Sequence, residues 1–251
     1  MSVISAYATA ESYRLMEAGD TSAGLDIVLA SIFFVGQSCD REFFEEELYG
    51  VNLLNGSLAV MRELCWAYLD ELDPAKLTEI AKERLPFLRP DRGRLFMPEG
   101  DSLVAAALIR EVFNAGGQPD REKFAEAFAG IQSKETPLTR FGAARRWRMV
   151  ADVHDSLEAS LDRLRLVYDD WWRRWRVQEH DPILDIPTEY ERTNEVRYAA
   201  VIFSMQDVNE LMDARNLLIA NHHGAEIAAA LAAYQRTLST APADVTMTYS
   251  T

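Results

Sequence analysis

Two cysteines and four histidines in 251 residues leave little material for thiol or imidazole chemistry. Cys39 and Cys65 belong to no C-x-x-C pair and to no Cys/His cluster, so neither a zinc knuckle nor a redox dithiol is indicated. The two either pair with each other or sit as buried thiols. Long apolar runs are missing as well: nothing approaches the roughly 20 residues of a spanning helix, and the amino terminus lacks a basic stretch followed by an apolar one. The chain therefore reads as soluble, with no transmembrane segment. Glycine-rich phosphate loops, H-E-x-x-H and G-x-S-x-G are absent; the nearest approach, Gly36-Gln37-Ser38-Cys39-Asp40, lacks the second glycine. No catalytic residue is readable, and no cofactor or metal is expected.

Positive charge is also short. Twenty-six bases stand against 40 acids, a net charge of -14, which opposes phosphate backbones and anionic lipid surfaces and argues against a nucleic-acid partner. Hydrophobic residues at 48% and aromatics at 10% suffice for a packed core and argue against a disordered tail or a fibrous repeat.

Alternating strand patterns are scarce, whereas apolar residues recur at helical spacing almost throughout, so the expected class is all-α: a multi-helix bundle of antiparallel hairpins with one long heptad-patterned helix. A first helix over about 3–18 stops at Gly19-Asp20. A second starts near Ser22 with Leu25, Val28, Leu29 and Ile32 on one face. A third, about 41–71, carries Phe44, Leu48, Val51, Leu58, Met61, Cys65 and Tyr68. Asp73-Pro74 then offers an N-cap and a first-turn proline for a short fourth helix ended by Pro86. Residues 86–100, with Pro86, Pro90, Gly93, Pro98 and Gly100, are the expected connection between a lobe at 1–85 and a lobe at 101–251. Beyond it Asp101 or Ser102 caps a helix with Val104, Leu108 and Val112 inward, closed by Gly116-Gly117, and a short helix follows near 120–129. From about 140 to 177, Trp147, Val150, His154, Leu157, Leu161, Leu164, Tyr168, Trp171 and Trp175 alternate by threes and fours as a seam of about four heptads. Such a seam is buried either by the chain's own helices or by a second copy, and the length of the chain favours the internal solution. A last helix or broken pair spans about 191–237, and 237–251 reads as a frayed tail.

The candidate sites each have a plainer reading. Trp171, Trp172, Arg173, Trp175 and Arg176 resemble a stacking platform or the centre of a protein interface. Trp171 and Trp175 nevertheless fall on the seam, and Asp169 with Arg173 and Asp170 with Arg174 are helix-surface pairs, so core plus solvated face is the stronger reading. His154 lies on the seam beside Asp152 and Asp155, where a base or ligand competes with a satisfied core histidine. No histidine has Glu three residues before it, which removes the di-iron bundle pattern. His222 and His223 point about 100° apart on a helix and cannot share an ion unless Gly224 breaks it. Glu45-Glu46-Glu47 reads as a solvated, dipole-favoured helix start, and Asn55-Gly56-Ser57, a glycosylation pattern, falls inside a helix.

Ala230-Leu231-Ala232-Ala233-Tyr234-Gln235-Arg236 with Pro242 resembles the A-L-x-x-Y-x-x-x-x-G-x-x-P element of uncharacterised, envelope-directed helical proteins of planctomycete bacteria, with Ser239 in place of the glycine. The hairpin around Glu17-Ala18-Gly19-Asp20 and Gly24-Leu25 is similar to the A-x-x-G-D-x-x-x-A-L pairs of the same group. The resemblance implies an exported or envelope-facing protein, against a cytoplasmic one otherwise, and brings no catalytic residues. The sequence thus points to a non-enzymatic helical interaction or scaffold protein, possessing a protein partner or self-associating, as a subunit of an envelope-associated complex. The alternative is a helical bundle that binds a small molecule or metal through His154 or His222 and His223.

Overall fold

The computed structural model describes residues 2–89, 95–130, 143–177 and 180–240. Pro90 and Gly93 of the expected connection, the first residues of the 140–177 segment and the tail from 241 onward, Pro242 included, lie outside them. The described residues are helical with no strand, apart from an isolated bridge between Phe113 and Pro119, so the chain is all-α. Among these residues no helix is long and apolar enough to cross a membrane. The chain divides into two compact units: Met1–Arg41, Glu45–Phe96 and Asp213–Thr251 form the first, Glu42–Phe44 and Met97–Met212 the second. One crossing, at Phe96–Met97, falls inside the 86–100 connection, and the chain from Asp213 belongs with the amino-terminal segments.

The first unit begins with the expected hairpin. Helix α1 (Ser2–Glu17) ends in a Schellman turn: Gly19 N donates to Met16 O, Asp20 N donates to Leu15 O, and Gly19 takes the left-handed φ of 82°. Asp20 then caps α2 (Thr21–Gly36) by accepting from Ala23 N. Leu25, Val28, Leu29, Ile32 and Val35 are buried, and Gly24 lets α1 come close, since a Cβ there would stand 3.1 Å from the Met16 side chain. Helix α3 (Phe44–Ala67) buries Val51, Leu54, Leu58, Met61, Leu64 and Cys65. Asp73 caps α4 (Pro74–Glu79) through Ala75 N, with Pro74 in the first turn as expected.

Pro86 does not end that helix. A π turn at Ile80–Arg84, in which Leu85 N donates to Ile80 O, leads into α5 (Leu85–Phe87). The wider turn moves aside the carbonyl that a proline ring meets in an α-helix, so the helix continues past Pro86 to Phe87. The unit closes with α11 (Asn209–Thr240), whose part from Asp213 on is stitched to α3 and to the segment after it. Asn221 Nδ2 donates to Asn55 Oδ1 at 2.8 Å, Arg62 donates to Asn221 O at 3.0 Å, and Arg236 donates to Leu72 O at 3.1 Å. The amide of Asn55 also donates to Ala214 O, so the glycosylation pattern is occupied by packing.

In the second unit α6 (Gly100–Glu111) differs from expectation in two ways. Asp101 does not cap its own helix: its carboxylate accepts from Phe44 N at 2.7 Å, while Gly100 N donates to Glu42 O. A Cβ at Gly100 would meet Glu42 O at 2.6 Å, which demands glycine there. The buried face is Ala105, Ile109 and Val112, with Val104 and Leu108 exposed. Large residues dominate a hydropathy reading, yet the small Ala105 is fully buried on this helix, which contacts α9 and α10. After the Asn114–Gly117 turn comes α7 (Arg121–Phe128), capped by Asp120.

The single long helix expected over 140–177 is two helices, α8 (Ala143–Ala151) and α9 (Leu157–Arg176). Residues 152–156 leave the helix: Asp155 N donates to Arg197 O, and Ser156 restarts a helix by capping Ala159 N, with Leu157 N, the first residue of α9, donating to Gly117 O. Most seam positions stay inward across the break: Trp147, Val150, His154, Leu164, Trp171 and Trp175 are buried within the chain itself, and Leu157, Leu161 and Tyr168 are half-buried. Trp147 meets Phe128 and Phe203, and Phe124 meets Phe113, Phe128 and His154, at centroid distances of 4.8–5.9 Å, in tilted or edge-on contacts. The expected last pair is α10 (Ala199–Ile202) and α11, beginning later than 191 because residues 188–198 form capped turns around Thr188 and Asn194.

Arg174 ties the loop after α9 to that helix. Its Nε donates to Asp170 at 2.9 Å and its Nη1 to Ile183 O at 2.8 Å, while the same Asp170 oxygen accepts from Glu189 N. Both charged side chains are nearly inaccessible, so removing one leaves the other buried and unpaired. Arg174→Ala is therefore expected to lower the urea-denaturation free energy by about 3–5 kcal/mol.

Candidate functional site

The aromatic-basic run is not one surface. Trp171 and Trp175 are inside the second unit, where Trp171 packs on Tyr168 at 5.1 Å and Tyr190 at 5.7 Å. Only Trp172, Arg173 and Arg176 reach the surface. Trp172 is already engaged: its indole N–H donates to Glu99 Oε1 at 2.7 Å, and the Arg176 guanidinium covers its ring at 4.5 Å. Two of the three tryptophans that suggested a stacking platform are consumed by the core.

His154 is buried where α8 gives way to α9. Ala200 N donates to its Nε2 at 3.0 Å, so Nε2 carries the lone pair and the ring proton sits on Nδ1, which donates to Asp155 O at 2.8 Å. Burial holds its pKa below the usual 6.5, against smaller opposing effects of the Asp155 carbonyl and charge. Both ring nitrogens are used. The imidazole works as a remote cap for α10, whose own Tyr198 supplies no side-chain cap.

His222 and His223 lie on an unbroken helix, since α11 runs straight through Gly224. Their rings are 6.5 Å apart at 82°, His222 inside and His223 at the surface. Glu226 Oε1 is 3.6 Å from His222 Nδ1 and is held with its partner oxygen by a two-pronged contact from Arg89 at 3.0 and 2.8 Å. Burial alone raises the Glu226 pKa; the hydrogen bonds and charge of Arg89, with His222 and His223, reverse this and bring it below the usual carboxylate range. No group of three or more His, Cys, Asp or Glu among the described residues is placed to hold a metal. Cys39 and Cys65 are free buried thiols, raised to about 12 and about 11, mainly by burial, and so far from thiolate reactivity.

The acid run at the start of α3 holds a residue that a solvated reading misses. Glu45 and Glu46 are exposed, but Glu47 is fully buried. Burial, then the charge of Asp40, push it up to about 8, against lesser opposing effects of the Arg41 backbone and the Arg215 charge. The signal was present: Glu47 continues the three-four spacing of Phe44, Val51, Leu54 and Leu58. A carboxyl so placed is neutral at pH 7 and gives the first unit a pH-sensitive point.

That unit also has an apolar groove of about 490 Å³ between the carboxy-terminal parts of α3 and α11. Arg62, Cys65, Trp66 and Leu69 line one side, and Ala228, Leu231, Tyr234 and Leu238 the other. Trp66 is 81% exposed, and Leu231, Tyr234 and Leu238 are each at least half exposed. The sequence segment around Leu231 and Tyr234 thus lies on a wall of this groove. Comparison of the chain with family models, with curated proteins and with solved structures gives no match.

Two titrations are expected to oppose each other. The folded pKa of Glu47 lies above its unfolded value of 4.5, so the folded state holds the extra proton and stability falls as pH rises from about 4.5 to about 8. His154 has a folded pKa below 6.5, so its contribution is complete above that value and is lost as pH falls through 6.5 toward the folded pKa. Glu47→Gln should therefore raise stability at pH 9, relative to wild type, by more than about 1.4 kcal/mol, with little change at pH 5. Melting curves across this range check it.

Proposed function

We propose that this chain is a non-enzymatic helical interaction or scaffold protein that works through an apolar surface of its first unit. One observation carries the reading: the groove between α3 and α11 leaves Trp66, Leu231, Tyr234 and Leu238 largely in water. Exposing a contiguous set of large apolar side chains costs about 25 cal/mol per Å², and such patches mark sites of association. A tryptophan and a tyrosine beside aliphatic neighbours are also the composition of interface centres. Three polar side chains support the same reading by being occupied within the fold. His154 holds two backbone groups, Arg174 holds a loop and Glu226 holds Arg89.

The reading is tested by mild affinity purification of the full chain from its native source, followed by native mass spectrometry, for wild type and for Leu231→Glu. The expected result is a stoichiometric protein component, either another protein or a further copy, that is lost in Leu231→Glu while the melting temperature stays within about 2 °C. A bare wild-type monomer that carries a stoichiometric metal or small molecule would overturn it and move the case to a ligand-binding bundle.

A further inference from the structure

Helix α11 has two heptad-spaced faces. Leu211, Leu218, His222, Ala225, Ala229 and Ala232 keep the three-four spacing and are buried. Ile227, Leu231, Tyr234 and Leu238 keep the same spacing on another side of the helix and are all half exposed or more. At 100° per residue this outer stripe is turned well away from the inner one, and it borders the groove at Trp66. A stripe of period 3.5 fits another helix of the same period better than it fits an extended peptide or a flat sheet.

The charges say which helix. From Ile227 to Leu238 the sequence contains no acid, and its single base, Arg236, donates to Leu72 O within the unit. In a chain of net charge -14, this is a place where a second equally acidic copy meets no like charge along the helix. The groove ends do carry charge, and of opposite sign. Arg62 stands at the end nearer Gly224, with its Nη1 donating to Asn221 O, and Asp70 and Glu71 stand at the other, beside Trp66 and Gln235. A twofold axis that runs two α11 helices antiparallel brings the Arg62 end of each copy to the Asp70 and Glu71 end of the other. The size is of the right order. Trp66 and Tyr234, 81% and 59% exposed, present on the order of 300 Å² between them, and the three exposed aliphatic residues of the stripe extend this toward the roughly 800 Å² per partner of a standard stable interface.

We infer that the outer stripe of α11, with Trp66, is the contact surface of an antiparallel homodimer of this chain. The inference rests on the interaction reading above and names its partner. A self-complementary patch of this kind closes on itself and yields a dimer, not a filament.

The test is sedimentation velocity and native mass spectrometry on the purified full chain, up to about 100 µM. Wild type is expected at twice the 28.4 kDa chain mass. Leu231→Glu, at an exposed position, is expected to keep the wild-type circular dichroism spectrum and to weaken the dimer at least ~tenfold. Arg62→Glu and Asp70→Arg are each expected to weaken it, and the double variant to restore it. A wild-type monomer at the highest concentration, or a dimer unmoved by Leu231→Glu, overturns the inference. A dimer that Leu231→Glu abolishes, but that the double charge reversal fails to restore, overturns the antiparallel arrangement. A monomeric wild type whose groove instead binds a different protein or an apolar small molecule also overturns the second copy as occupant; with a different protein, the interaction reading still stands.

Discussion

The second unit depends on one neutral imidazole. His154 sits at the point where the seam helix breaks, accepts the backbone N–H of Ala200 and donates to the carbonyl next to it in sequence. That pair of bonds fixes where α10 begins, and α10 in turn packs against α6 and α9. The ring is also an aromatic neighbour of Phe113 at 5.6 Å and Phe124 at 5.0 Å, so hydrogen bonding and packing constrain the same side chain. An aliphatic residue of equal size would fill the space but leave a buried N–H without an acceptor, at a cost of about 1–3 kcal/mol. Histidine is used here for shape and for one lone pair, not for its ability to change charge.

The all-α class, the first hairpin, the Asp73-Pro74 helix start and the internal burial of the seam were legible, because each rests on local rules: a period, a cap or a glycine at positive φ. The break inside the seam was not. A five-residue interruption that returns the chain to the same inward phase leaves the spacing of apolar residues undisturbed, so periodicity alone cannot reveal it. Ser156, which caps Ala159 N, was the local clue. The face of α6 was misread for a related reason: the inward positions include the small Ala105 while Val104 and Leu108 face out, and hydropathy ranks alanine below both.

The candidate site shows the same division. The run from Trp171 to Arg176 contained both core and surface, and the heptad phase correctly separated Trp171 and Trp175 from the exposed residues. Arg174, by contrast, became a buried clamp because the loop at 182–190 offered it carbonyl groups, which no spacing rule can announce. Glu47 could have been found by the phase that placed its apolar neighbours inward. The outer stripe on α11 was hidden by alanine: with Ala228, Ala229, Ala230, Ala232 and Ala233 around the helix, no face of the segment stands out in sequence, and only folding shows which apolar residues remain uncovered.

The division of the chain into units bears on how it is made. The first unit takes its segments from both sides of Met97–Met212, which supply nearly all of the second. A ribosome delivering residues in order therefore releases α1 to α5 well before α11 exists, while the second unit emerges as one nearly continuous stretch able to fold as it appears. Until α11 arrives, the polar and apolar groups on α3 that it will satisfy, Asn55 and Arg62 among them, have no native counterpart. The amino-terminal segments of the first unit are thus made before the second unit yet finished after it, and they spend that interval with the α3 face that α11 covers still open.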